Sequence, residues 1–339
     1  MTTALAAGAA AQGWDPAVEM VTIPSADGAP AQGALFWKAP GDAPAPLLVG
    51  LHTWSSSFKQ AGSSVPYFNW CRQEGWHFIH PDFGGPNWTP QAMGSDQAVA
   101  QVVEAVRWAS QNTKVDPDRV YLIGVSGGGH MALQMAGRHP EIWAGVSAWC
   151  GISDIAQWHA DCTAEPRFAK YAANIESALG GPPDESARKE DAARRSPVTW
   201  LSRARDLPLD IQAGLHDGRT GSVPFLHSLR AFNAVAGATG GIPDPVAVEF
   251  YNTRRPPFET PPMLNADALY TDPLQRKRAP VFQKVAGSAR VVIFDGGHEI
   301  AHSAGLNWLA LQRKGRPAVW DVPDPRPVPM TGGTAESGK

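Results

Sequence analysis

Apolar positions along the chain fall into two alternating patterns. Short, nearly continuous apolar runs occur at 18–23, 33–37, 47–51, 76–80, 120–125, 144–149 and 209–215. The run at 47–51 has no polar residue at all, as expected of a strand covered on both faces. Between the runs lie stretches with helical spacing. The clearest is 95–111, where Ala98, Val102, Val103, Ala105, Val106 and Ala109 supply one apolar face. Further helices are expected over 64–74, from the glycines after Ser126 to Gly137, over 222–236 and over 300–313. Residues 281–285 are expected to pair with 290–294. Strands alternating with helices predict an α/β fold, with a mostly parallel central sheet and helices on both faces.

The pattern breaks in four places. Residues 1–13 carry small side chains of the signal-cleavage type, but no basic start and no long apolar core. They read as a flexible tail or a signal remnant, and from them a secreted or periplasmic location is expected, with a cytoplasmic one as the alternative. Residues 14–314 then form one catalytic domain. Within it, 152–205 is a polar, partly helical excursion, and 237–280, rich in Pro, Gly and Asn, is an irregular insertion. Residues 315–339 are a Pro/Gly-rich C-terminal tail.

Composition narrows the function. The 339 residues are 43% apolar and 18% charged, enough for a sizeable core. Net charge is −3 and no block of like charge runs along the chain, which argues against nucleic acid or an anionic membrane as partner. No apolar run reaches transmembrane length, so no membrane insertion is expected. Cys71, Cys150 and Cys162 are too few for a disulfide scaffold and lack zinc-site spacing. They read as free thiols, although Cys150 and Cys162 are near enough in sequence to pair. None of these features sets an oligomeric state.

Gly124-Val125-Ser126-Gly127-Gly128 is the chain's one G-x-S-x-G match. An apolar strand runs into it and a small-residue helix runs out, which is the setting of a nucleophile elbow. There a serine projects from a strained turn at the sheet edge, and the helix N-terminus favours developing negative charge. Ser126 is therefore the candidate nucleophile. A serine hydroxyl needs a base. His298, in Gly296-Gly297-His298 after the run 290–294, lies at the sheet edge where catalytic groups gather. His302 is the reserve. His130, one turn past the serine, suits packing or hydrogen bonding better, and His52 and His80 precede the nucleophile. Asp217, after the run 209–215, is the candidate acid, and Ser126, Asp217, His298 is the chain order of α/β-hydrolases. Asp154 is its rival. The oxyanion hole is expected from the backbone N–H groups of Gly127 and Trp54, with Thr53 as alternative to Trp54.

The stretches LLVGLHTWSSS (47–57), PDFGG (81–85), VDPDRVYLIGVSGGGHMAL (115–133), RSPVTWL (195–201), GLHDGRTGSVP (214–224) and FDGGHE (294–299) resemble the prolyl oligopeptidase-like and esterase branch of the α/β-hydrolase superfamily. The resemblance covers roughly residues 45–313. It implies a serine hydrolase acting on an ester or amide, with no metal and no organic cofactor. Two loops depart from the family pattern. The family's acid loop reads H-G-x-x-D-x-x-V-P, which puts its aspartate at Thr220 and its glycine at Asp217. The oxyanion loop, usually His-Gly, reads His52-Thr53-Trp54.

The chain before Leu47 is too short for the β-propeller of a prolyl oligopeptidase, and there is no obvious acidic pair for a peptide's amino terminus. Thirteen tryptophans include Trp54, Trp88 and Trp158 near the expected mouth, where aromatic faces suit sugar rings and aryl groups. The expected function is an esterase on acylated carbohydrate or aryl esters, with a small-molecule or oligosaccharide ester as substrate. A propeller-free peptidase is the alternative. A non-catalytic binder would need a broken triad, and all three residues are present. Activity is expected to fall as His298 becomes protonated, near or somewhat below neutral pH.

Overall fold

Strands Glu19–Ile23 (β1), Gln32–Trp37 (β2), Ala45–Leu51 (β3), His77–Pro81 (β4), Val115–Val125 (β5), Gly145–Trp149 (β6), Leu209–Gly214 (β7), Pro280–Ala286 (β8) and Ala289–Phe294 (β9) join in one sheet. Their order is β1-β2-β4-β3-β5-β6-β7-β9-β8. From β4 to β9 every neighbouring pair is parallel, while β1, β2 and β8 run antiparallel at the two edges. The computed structural model describes residues 11–25, 28, 30–271 and 276–330. Most of the expected 1–13 tail, and residues 331–339 of the expected C-terminal tail, lie outside them.

The inner strands form where the sequence is apolar on both faces: β7 and β9 are buried at every position. One face is covered by Asp96–Asn112, Gly127–Arg138 and Leu226–Gly240, the other by Val65–Glu74 and His302–Leu311. In chain order the helices are Val65–Glu74 (α1), Asp96–Asn112 (α2), Gly127–Arg138 (α3), Ile155–Ala164 (α4), Ala169–Leu179 (α5), Ser186–Arg194 (α6), Leu226–Gly240 (α7), Asp244–Thr253 (α8), Ala266–Tyr270 (α9) and His302–Leu311 (α10). Ser95 starts α2 by accepting the Ala98 N–H (3.1 Å). Gly75 ends α1 in the left-handed region at φ 68°.

Two adjacent strands carry a buried charge pair. Arg290 on β9 stands opposite Asp210 on β7, and Arg290 Nε donates to Asp210 Oδ1 at 2.8 Å with both side chains buried. Loss of either partner strands a charge in the core, at a cost of about 3–5 kcal/mol. The pair favours a single register for the strands that lead to Asp217 and His298.

The structure departs from the sequence pattern in three segments. β5 begins at Val115 rather than Val120, because Ala45 pairs with Val115 and the register then shifts before Leu47 pairs with Val120. Residues 237–280 are not simply irregular. They contain α8 and α9, with Pro at the start of α8 and Arg254 ending it at φ 61°. Proline and glycine there mark helix ends, and Ala247 and Phe250 bury the helix face between them. The tail residues up to 330 are packed. Trp320 stacks on Trp308 at 5.7 Å, Val322 is buried, and Asn307 and Asn69 donate to the carbonyls of Arg326 and Pro329. The excursion 152–205 holds α4, α5 and α6, and its own apolar cluster includes Trp54, Ile155, Trp158, Ile175 and Val223. All three cysteines are free and buried, so Cys150 and Cys162 do not pair. Among the described residues no helix is long and apolar enough to cross a membrane.

Several histidines are held neutral by the fold. Burial lowers His80 to about 3 and both His130 and His302 to about 4. An unfolded chain protonates the same groups near 6.5. Their folded values lie below the unfolded one, so the stability they support is complete above about pH 6.5 and is lost as pH falls toward 4 and 3. The urea midpoint should therefore drop steadily over that interval. In His130→Gln the slope of stability against pH should be shallower by about one proton between pH 6 and 4. An unchanged slope would show that His130 is not held neutral.

Candidate active site

The C-terminal ends of β3, β5, β6, β7 and β9 bring the expected groups to one sheet edge. Ser126 follows β5 directly and is the N-cap of α3, at φ 60° and ψ −120°. That conformation is costly for a residue with a Cβ and is held from both sides. Ser126 N–H donates to Trp149 O (2.9 Å), and Ser126 O accepts from His130 N–H (2.8 Å). Imidazole Nδ1 of His130 lies 2.9 Å from Ile152 O, and the ring is fully buried, so His130 supports the elbow from beneath.

Asp217 and His298 meet directly. His298 Nδ1 lies 2.7 Å from Asp217 Oδ2, with the carboxylate side chain wholly buried and the imidazole 23% exposed. The other carboxylate oxygen accepts from Gly218 N–H (2.9 Å) and Val223 N–H (3.2 Å). Backbone bonds zip the two loops together: Leu215 N–H donates to Phe294 O (2.8 Å) and His216 N–H to Gly296 O (2.9 Å). Burial opposes the charged imidazole, but the Asp217 carboxylate, by charge and by hydrogen bond, outweighs it and raises the His298 pKa above its ordinary value.

The alternatives are occupied elsewhere. Asp154 caps α4 by accepting Gln157 N–H (3.0 Å). His302 is buried, with Nε2 2.8 Å from Ser63 O. Thr220, at the family's aspartate position, is exposed and donates its hydroxyl to His216 O (3.1 Å). His52 lies between Thr53 O and Asp82 O (2.9 and 2.8 Å) and stacks on Phe83 at 3.9 Å. His80 is bonded to Phe58 O and Ser64 Oγ.

Gly127 and the oxyanion loop are in backbone contact. A Cβ at Gly127 would sit 2.5 Å from both N and Cα of Trp54. Thr53 N–H already donates to Gln60 Oε1 (2.8 Å), which leaves the Trp54 amide beside Gly127. Asn87 holds Trp54 through its following peptide: the Asn87 N–H donates to Trp54 O (2.9 Å), and its side-chain oxygen accepts from Met93 N–H (2.8 Å). Asn87 was invisible in the sequence because its bond to Trp54 joins it to a loop 33 residues away.

The three tryptophans expected to meet substrate separate. Trp54 and Trp158 are 2% and 1% exposed and pack edge to face at 4.6 Å. Trp54 Nε1 donates to Asn174 Oδ1 (3.2 Å) and Trp158 Nε1 to Ser222 O (2.8 Å). Their rings fasten the excursion to the oxyanion and acid loops and leave no face for a sugar, because the excursion closes over them. Trp88, next to Asn87, is 37% exposed and keeps that possibility.

Cys150, after β6 at φ 47°, has its sulfur near both Asp217 and His298, the three potential ligand atoms lying within 4.8 Å of one another. Burial pushes the thiol pKa up, with the Asp217 charge adding to it, and the S–H points to Glu299 O at 3.4 Å. A protonated thiol beside a carboxylate and imidazole that already bond each other is packing, not a ready ligand set. Gly221 is a second residue that sequence reading missed. A Cβ there would fall 2.3 Å from Asp217 Oδ1 and 2.3 Å from His298 Cβ. Gly221→Ala should therefore push Asp217 and His298 apart, lowering any hydrolytic turnover by at least about a hundredfold while the melting temperature moves by only a few degrees. Near-normal turnover in that variant would mean that the loop yields without disturbing the pair.

Known proteins agree with this architecture. A model of the prolyl oligopeptidase family matches residues 85–243. The chain is 26% identical over 135 residues to acetylxylan esterase A of Emericella nidulans, covering 34% of this chain and 43% of that protein. It is 26% identical over 117 residues to feruloyl esterase B of Thermothelomyces thermophilus, covering 32% and 40%. The chain thus spans less than half the length of these relatives. In fold it is similar to a puromycin hydrolase, with a TM-score of 0.58 and 18% identity over 87% of this chain and 38% of that one. It is similar also to the Pyrococcus horikoshii acylaminoacyl peptidase, with a TM-score of 0.50 and 15% identity over 64% and 34%. With its sheet order and these matches, the chain has the α/β-hydrolase fold, and over residues 85–243 it is similar to the prolyl oligopeptidase family.

Proposed function

We propose that the protein is a serine hydrolase that cleaves carboxylic esters through Ser126, His298 and Asp217. The observation that carries the reading is the 2.7 Å contact between a buried Asp217 and His298 at the sheet edge where Ser126 sits in its strained turn. Asp217 fixes the imidazole with Nδ1 protonated, so that Nε2 is the free base. His298 takes the proton of Ser126 as the hydroxyl attacks the ester carbonyl. The amides of Gly127 and Trp54, with the start of α3 behind them, hold the oxyanion. His298 then protonates the departing alcohol, and water releases the acid from the acyl-enzyme by the same steps. No metal or organic cofactor has a part in this scheme.

Acylated carbohydrate or an aryl ester is the substrate class. What supports it is the nature of the matched relatives, an acetylxylan esterase and a feruloyl esterase, together with exposed Trp88 beside the oxyanion loop. A second reading, peptide cleavage, is favoured by the prolyl oligopeptidase family match. The location proposed with this reading is secreted or periplasmic.

Hydrolysis of 4-nitrophenyl acetate and methyl ferulate, absent in Ser126→Ala, with no cleavage of short proline-containing peptides, is the expected result. Peptide cleavage without ester hydrolysis would reverse the ranking. The pH profile is a separate check. Only neutral His298 can act as base, and Asp217 raises its pKa, so kcat/KM should fall on the acid side with an apparent pKa above the ordinary value of about 6.5. An acid limb well below that value would mean that Asp217 does not bias the imidazole.

A further inference from the structure

Where the Asp217 loop meets the end of α8, the charges do not balance. Arg254 ends α8 in the left-handed region at φ 61°. Glycine is the usual residue at such a helix end, because a Cβ is disfavoured there, so the arginine stands against a backbone preference. Its guanidinium lies over the rings of Phe225 and Tyr251, with Cζ 5.3 and 4.3 Å from the ring centres. Nε, Nη1 and Nη2 are all buried, and none has a hydrogen-bond partner. Among the described residues no carboxylate pairs with it. Burial and the neighbouring charge of Arg219 both oppose the cation, and the group that favours it is the Tyr251 phenol, itself kept neutral by burial.

Arg219 is unmatched as well. It is exposed, two residues past Asp217, and its Nη2 donates to Asn252 O (2.8 Å) in the last turn of α8. No carboxylate pairs with it among the described residues. Arg167 shows the contrast. Its Nη2 also reaches this loop, at Arg219 O (3.2 Å), but Nε and Nη2 meet both oxygens of Glu165 at 3.0 Å. Two like charges thus stand together, offset only by the carbonyl end of α8, which Arg219 uses and no nitrogen of Arg254 reaches.

A buried charge is normally paired or holds a ligand. The planar fork of a guanidinium matches an oxyanion, and two forks can take its oxygens from two sides. Arg254 lies at the rim of the molecule: it is half-buried, and Arg219, Asn252 and Arg255 are exposed. A shift of exposed side chains is enough to admit a small ion.

We propose that Arg254 and Arg219 form a binding site for an oxyanion, brought by a free ion or by a group of the substrate. The site adjoins the Asp217 loop. A Cβ at Gly218 would lie 2.4 Å from Tyr251 Oη, and Gly218 N–H is one of the two that hold Asp217.

The test is the melting temperature of the whole protein in sodium phosphate, against sodium chloride of equal ionic strength. It needs no turnover, so it stands apart from the hydrolase reading. Phosphate should raise the wild-type midpoint by a few degrees and then saturate. Arg254→Met, which keeps an apolar side chain against the two rings, should lose that rise. If this variant fails to fold by circular dichroism, Arg219→Met, at an exposed position, decides in its place. There the half-saturating phosphate concentration should increase about tenfold, as expected when a charged hydrogen bond is lost. No rise in the wild type, a rise that grows without saturating as salt exclusion produces, an equal rise in folded Arg254→Met, or unchanged half-saturation in Arg219→Met would overturn the proposal. Two esters then separate the sources of the anion. Phosphate that raises KM for 4-nitrophenyl hemisuccinate and not for 4-nitrophenyl acetate marks the site as the substrate's, and an equal effect on both marks it as a free ion's.

Discussion

Everything at the sheet edge depends on a single buried contact, that between Asp217 and His298. A carboxylate with no solvent exposure is tolerated only if its charge is matched. Here the matching is complete: two backbone N–H groups take one oxygen and the imidazole takes the other. The arrangement ties the Asp217 loop to the His298 loop and leaves the opposite imidazole nitrogen for other work. It also accounts for Gly221, since any side chain there would occupy the space where the two loops meet.

That contact is prepared from a distance. β7 and β9 lie side by side in parallel, and the buried Asp210–Arg290 pair favours one register for both. Their C-terminal ends are then joined by backbone hydrogen bonds before Asp217 and His298 are reached. On the other side of Ser126, the Gly127–Trp54 backbone contact is held by Asn87 from outside and by the Trp54–Trp158 packing from above. The excursion between β6 and β7 thus serves as a brace for both departing loops rather than as a wall of aromatic platforms.

The parts of this structure that were legible in sequence are those set by local chemistry. An unbroken apolar run such as 47–51 must be an inner strand, and a serine among glycines between strand and helix must sit in a tight turn. Asp217 could be ranked above Asp154 because it follows a strand closely, although the family pattern placed the aspartate at Thr220. What was not legible depends on contacts between distant segments. Burial of Trp54 and Trp158 follows from how the excursion folds back, and nothing in their own neighbourhood reveals it. Asn87, Cys150 and Gly221 are recognisable only once several loops meet. The helices within 237–280 were hidden by prolines and glycines that cap them.

The central claim is that Asp217 activates Ser126 through His298. It is tested most directly by the rate at which a fluorophosphonate modifies Ser126 in the native protein and in Asp217→Asn, with the modified residue identified by peptide mass. The account predicts modification at Ser126 in both, slower in the variant by about 10³–10⁴. Modification of a different residue, or an equal rate in Asp217→Asn, would contradict it.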